Sequence, residues 1–217
     1  MPPTVTACTD HEFPFPELVR LVRPNATGFD PRPCPDRLVG TLDYVAEQQT
    51  WADAAANPVE RNLTSPAILL VMESPHKDEF KLKDSYTPWP ANGATGVRIR
   101  EFAGCLLPEA WDPSTSQIVL INAIPFQCSL GVSTQHHRDA VFKAVWAAGG
   151  RALFQARLRR WYQRGDLVVN ACTKGATEIP LRQDVEDAID ELLPSSLRLR
   201  RQHPFSWMTD DRARRAW

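Results

Sequence analysis

Residues 65–79, SPAILLVMESPHKDE, contain six consecutive apolar residues at 67–72, bounded by Pro66 and Pro75. A strand that faces water on one side alternates apolar with polar residues, whereas an unbroken apolar run of this length suits a strand covered on both faces. Such strands belong to parallel sheets sandwiched between helices. The run also ends in a cluster of polar residues, Glu73, Ser74 and His76, at what would be the carboxyl end of the strand.

Working outward, the pattern repeats. Residues 97–107 place Ile99, Phe102, Ala103 and Leu106 on one helical face, and 117–121 form a second buried strand. Residues 139–148 and 151–162 read as helices interrupted by Gly149-Gly150, and 167–171 as a third strand. Residues 181–193 are helical up to Pro194, and 197–201 alternate leucine with arginine like a half-exposed fourth strand. Thr209 then caps a short helix that opens with Asp210 and Asp211. The order β-α-β-α-β-α-β predicts an α/β fold, a three-layer αβα sandwich around a four-stranded parallel sheet with right-handed crossovers. Residues 1–64 are rich in proline and read as an irregular or helical extension packed on the 65–217 domain. Leu38, Leu42, Val45 and Ala46 recur there at helical spacing, which predicts a helix between residues 34 and 56.

Composition narrows the classes. A chain of 217 residues with 43% hydrophobic and 24% charged residues is neither disordered nor fibrous and can bury a core of its own. No apolar run approaches the roughly 20 residues needed to span a bilayer, and no basic-then-apolar leader opens the sequence, so a cytoplasmic protein without membrane contact is expected. Cys8, Cys34, Cys105, Cys128 and Cys172 are odd in number and widely scattered, so neither a disulfide framework nor a zinc site is expected. The net charge of −1 hides an asymmetry: residues 1–64 carry −4, 65–150 carry −1 and 151–217 carry +4. A basic final third points to phosphates as partners, through Arg198, Arg200 and Arg201 just ahead of His203, or through Arg151, Arg157, Arg159, Arg160 and Arg164.

In open parallel sheets, ligands bind beyond the carboxyl ends of the strands. Here those ends read Glu73-Ser74-Pro75-His76, then Asn122 to Gln127, then Cys172-Thr173-Lys174-Gly175, and lastly His203-Pro204-Phe205-Ser206-Trp207. Together they offer a carboxylate, an amide, an ammonium and an imidazole. Trp89, Phe126 and Trp207 add flat apolar surfaces, a combination suited to a planar heterocycle.

The segments ILLVMESPHKDE (68–79), LINAIPFQ (120–127) and RLRRQHPFSW (198–207) resemble the three motifs of the uracil-DNA glycosylase superfamily, in the same order, over residues 65–210. The resemblance implies a protein that flips a nucleotide out of DNA and hydrolyses the bond between base and deoxyribose without metal or cofactor. It assigns Glu73 to the carboxylate or amide of the first motif, Asn122 to the base-reading asparagine and His203 to the histidine of the third. Met72, His76 and Phe205 depart from the usual residues of these motifs, which is compatible with a bulkier or modified base in place of uracil.

Chemistry gives each residue a task. Glycosidic cleavage builds positive charge on the sugar and negative charge on the departing base. Glu73 supplies an anion and orients water, while neutral His203 donates to a base carbonyl. Asn122 offers a donor and an acceptor to a pyrimidine edge. Trp89, then Phe126, are the stacking candidates. Lys174, Arg198, Arg200 and Arg201 are expected on DNA phosphates, with Phe205 or Trp207 wedged into the duplex of a monomeric enzyme's substrate. Competing readings are a base-sensing module without catalysis, a hydrolase with Ser74 or Ser206 as nucleophile, and a lyase forming a Schiff base through Lys174.

Overall fold

The computed structural model describes residues 13–45, 48–54, 61–62, 64–81, 87–107, 115–133, 135–176 and 180–216. Cys8 and the first prolines lie outside them. The chain runs through α1 (Phe15–Val22), β1 (Arg37–Val45), β2 (Gln48–Asp53), β3 (Ala67–Met72), α2 (Ala94–Phe102) and β4 (Thr115–Asn122). It continues through α3 (Ala140–Val145), α4 (Arg151–Trp161), β5 (Leu167–Asn170), α5 (Leu181–Leu192), β6 (Leu197–Arg200) and α6 (Asp210–Arg214).

The sheet has six strands in the order β2-β1-β4-β3-β5-β6 and is mixed, which corrects the expectation of a four-stranded parallel sheet. Strands β3 to β6 are mutually parallel, with β3 between β4 and β5. The two further strands come from the amino-terminal segment: β1 pairs antiparallel with β4, and β2 antiparallel with β1. The helix expected between 34 and 56 is therefore this pair of strands, and the segment ahead of residue 65 belongs to the same sheet as the rest.

The reason lies in a bulge. The pairing of β1 with β4 slips between Leu38 and Gly40, so Leu38 packs on one face of the sheet while Val39 and Leu42 pack on the other. A bulge breaks the two-residue alternation that marks a strand. Gly40 is required beside it, because a Cβ there would stand 2.3 Å from the Trp51 ring on β2.

Both faces of the sheet are covered. Val71, Ile121, Phe142, Phe154 and Val185 fill the face under α1, α3, α4 and α5, and Ile68, Leu70, Met72, Ile99, Leu106 and Trp207 fill the other. Full burial of such side chains contributes about 1.5–3 kcal/mol each, so these layers dominate the folding energy. Between α3 and α4 the helical path breaks at Gly149, whose φ of +115° suits glycine. A Cβ on Gly150 would lie 2.7 Å from Ile124, so the break lets the helices close on the end of β4. Near the opposite ends of the strands, buried Arg61 holds Asp166 (Nη2–Oδ1 2.9 Å) while Asp166 accepts the backbone N–H of Ala67, fastening the starts of β3 and β5. Among the described residues no helix is long and apolar enough to cross a membrane.

Candidate active site

At the carboxyl ends of the parallel strands lies a cleft of about 340 Å³. Glu73 and Ser74 enter it directly after β3, Thr173 from beyond β5, His203 from beyond β6 and Arg138 from the turn that leads into α3. Ser129, Thr95 at the start of α2 and the exposed ring of Phe205 complete its walls.

Glu73 is buried. Its Oε2 accepts the N–H of Thr173 at 3.1 Å and lies 3.8 Å from His203 Nε2, while Oε1 lies 3.9 Å from Arg138 Nη1. Burial alone raises the pKa of the carboxyl; His203, Arg138 and the backbone N–H groups outweigh it and hold the group below its usual 4.5. Arg138 is fixed in turn by fully buried Asp139, which accepts Nε at 2.7 Å and, with its other oxygen, the N–H of Ala176 at 2.8 Å.

Burial lowers the pKa of His203 below 6.5; Glu73 pulls it upward, and Arg138 and His76 add to the lowering. Its Nδ1 accepts the N–H of Phe205 at 3.2 Å, capping the short helical turn Pro204–Ser206. The neutral ring therefore carries its proton on Nε2, toward Glu73 and the cleft. The site presents an ionised carboxylate and a neutral N–H donor side by side.

A second space of about 160 Å³ adjoins the first and shares His76, Glu79, Thr95 and Phe205 with it. His76 caps the turn Lys77–Phe80 by accepting the N–H of Asp78, and Glu79 accepts the His76 N–H in return. That reciprocal pair fixes Glu79 as the wall between the two spaces.

Of the residues singled out in the sequence, the structure brings Glu73, His203 and Phe205 together in the cleft. Asn122 is buried as the last residue of β4 and lies outside the cleft lining; Arg157 binds its carbonyl at 2.7 Å, and its Oδ1 has no hydrogen-bond partner among the described residues. Phe126 lies in the core, stacked on Phe15 at 4.8 Å and on Phe13 at 5.5 Å, too deep to serve as a platform. Trp89 lies under the guanidinium of Arg37, 3.6 Å from the ring centroid, away from the cleft lining. Trp207 is fully buried, its indole N–H on the carbonyl of Gln202, so its assignment as a wedge gives way to a core role. Phe205, 60% exposed, is free to act as one.

The arginines divide. Arg198 pairs with Asp190 and Arg200 with Glu186, both on α5. Arg201 donates to the carbonyl of Arg200, and Lys174 is exposed just beyond Thr173. Cys34, Cys128 and Cys172 are buried free thiols, raised by burial above the usual thiol range. Among the described residues no group of three His, Cys, Asp or Glu could hold a metal.

Sequence reasoning missed Arg138, Thr95, Ser129 and Glu79. Glu79 carried a signal, since it follows His76 by three residues, the spacing of a reciprocal helix cap. Arg138 carried none, because the carboxylate it meets in the cleft, Glu73, follows β3, far from it in the sequence. No family model, curated protein or solved structure matches this chain.

Proposed function

We propose that the chain is a monofunctional DNA glycosylase, hydrolysing the bond between deoxyribose and a flipped-out uracil-like or modified base and leaving an abasic site. One observation carries the reading: an ionised, buried carboxylate and a neutral imidazole N–H face one cleft at the heads of parallel strands. As the bond breaks, its electron pair leaves with the base and the sugar becomes cation-like. Glu73 stabilises that cation and orients a water toward the sugar carbon; its lowered pKa suits electrostatic support better than proton abstraction. His203 donates from Nε2 to the base oxygen on which negative charge collects. Water completes the sugar hydroxyl, and its proton leaves to the base or to solvent. Phe205 fills the gap left in the duplex, while Lys174 and Arg201 contact phosphates. The enzyme works as a monomer in the cytoplasm with no metal or cofactor.

The test is incubation with DNA duplexes and single strands carrying uracil, hypoxanthine, or hydroxymethylated or glycosylated pyrimidines, followed by hot alkali. Strand scission that appears only after alkali is the expected result. Intact strands with every substrate would overturn the assignment, and binding without scission would favour a base-sensing module.

A further inference from the structure

Glu79 takes no part in the bond cleavage described above, yet it forms the wall between the two connected spaces. It is 4% exposed and held from three sides. His76 N–H reaches Oε1 at 3.3 Å, the Cys34 thiol reaches Oε2 at 3.6 Å, and the N–H of Ala91 also points to the carboxylate. Ala91 adopts a φ of +53°, a left-handed backbone that a residue with a Cβ rarely takes. Such strain persists only where the surrounding structure enforces it, and it is concentrated at ligand sites.

No cation pairs with Glu79 among the described residues. The groups that act on it are Glu73 from the end of β3, Cys34 from ahead of β1 and the backbone N–H groups of His76 and Ala91; His203 and Arg138 line the same cleft, and Asp78 the adjoining space. Burial, with a smaller push from Glu73, outweighs the three hydrogen bonds and raises its pKa to about 7. At neutral pH the group therefore exchanges between carboxylate and carboxylic acid. Asn122, the residue expected to read the base, does not line the cleft.

We propose that Glu79 is the specificity-determining residue that reads the heterocycle: its carbonyl oxygen accepts a ring or exocyclic N–H, and its O–H donates to the adjacent ring nitrogen or carbonyl oxygen. Cytosine, adenine and uracil each offer such a neighbouring donor and acceptor. The acid form matches both. The ionised form has acceptors only and sets a charge against the ligand's own acceptor, so binding requires the proton.

This inference rests on the cleft being a base site, and its test reads binding instead of base release. Free cytosine, uracil and adenine are titrated calorimetrically into wild type, Glu79→Gln and Glu79→Ala between about pH 6 and 8.5. At least one base should bind wild type, with a Kd that rises about tenfold per pH unit above roughly 7, as uptake of one proton demands. Glu79→Gln retains one donor, one acceptor and the helix cap, so its Kd should stay near the wild-type acid value throughout. Glu79→Ala should bind weakly at every pH. A His76→Gln variant that keeps the wild-type pH profile separates Glu79 from the imidazole on the same turn. Failure of all three bases to bind wild type at about pH 6, or a wild-type profile as flat as that of Glu79→Gln, overturns the proposal. Proton-linked binding without base release would instead remove the glycosylase reading and leave Glu79 as the reader.

Discussion

Nε2 of His203 stands 3.8 Å from Oε2 of Glu73, and the hydrogen bond from Phe205 to Nδ1 leaves the imidazole proton on that facing nitrogen. Each residue influences the protonation of the other. The imidazole helps to keep the carboxyl ionised, and the carboxylate moderates the loss of basicity that burial imposes on the ring.

Replacing Glu73 with Gln removes the charge and preserves the shape. If Glu73 stabilises the sugar cation, base release should fall by about 100- to 1,000-fold while affinity for uncleaved DNA stays within a few-fold of wild type. Single-turnover kinetics and filter binding on the same duplex measure the two effects. Unchanged release would remove Glu73 from the chemistry.

The depressed pKa of His203 has a consequence for stability. An unfolded histidine takes up a proton near pH 6.5, whereas the folded ring resists it until lower pH. The folded state is therefore favoured fully above pH 6.5 and loses that advantage as the pH falls through the folded value. Urea denaturation of wild type and His203→Gln should show a stability difference that grows on acidification below 6.5. Parallel pH curves for the two proteins would contradict the neutral assignment.

Buried Arg61 makes two contacts with Asp166, and the carboxylate also accepts the N–H of Gln163 at 2.7 Å. Arg61→Met leaves that carboxylate buried without its cation and should cost about 3–5 kcal/mol. The denaturant midpoint reads the loss. The double variant Arg61→Met/Asp166→Leu should recover part of it, since no lone charge then remains.

DNA binding should separate the basic residues. Arg198 and Arg200 are already paired with carboxylates of α5, so neutralising them should leave the salt dependence of DNA affinity nearly unchanged. Lys174→Gln and Arg201→Gln should each lower the slope of log K against log salt by about 0.9, one phosphate contact apiece. The reverse order would place the DNA along α5.

The legible parts of the chain were those whose burial is uniform. Strands β3 and β5 show apolar runs because both faces are covered, and the turn before α4 shows its two glycines. The carboxyl ends of the parallel strands were likewise readable, and the structure brings Glu73 and His203 from two of them into one cleft. Strand β1 was not, since its bulge converts a two-residue alternation into apolar positions at 38, 42 and 45, a helical spacing. Side-chain direction was the other obstacle. Asn122 ends β4 on the same sheet face as Leu120 and Met72, and nothing in the local sequence reports whether that face opens to the cleft.

The antiparallel ribbon of β1 and β2 also decides which backbone rows of the sheet meet solvent. On the far side, β6 is four residues of alternating leucine and arginine, a charged margin that discourages strand addition. On the near side, β4 reads TSQIVLIN, eight residues without a charge. Stripped of β1, it would offer its N–H and C=O groups to any passing strand, including β4 of another copy. A chain starting at residue 65 would also lose α1 and the Arg61 partner of Asp166, so the cleaner test keeps the full chain and places proline at Thr41, opposite Gln117 of β4: with β1 loosened from β4, the variant should self-associate on a sizing column. The amino-terminal ribbon is thus a built-in guard against polymerisation, separate from any contribution to the cleft.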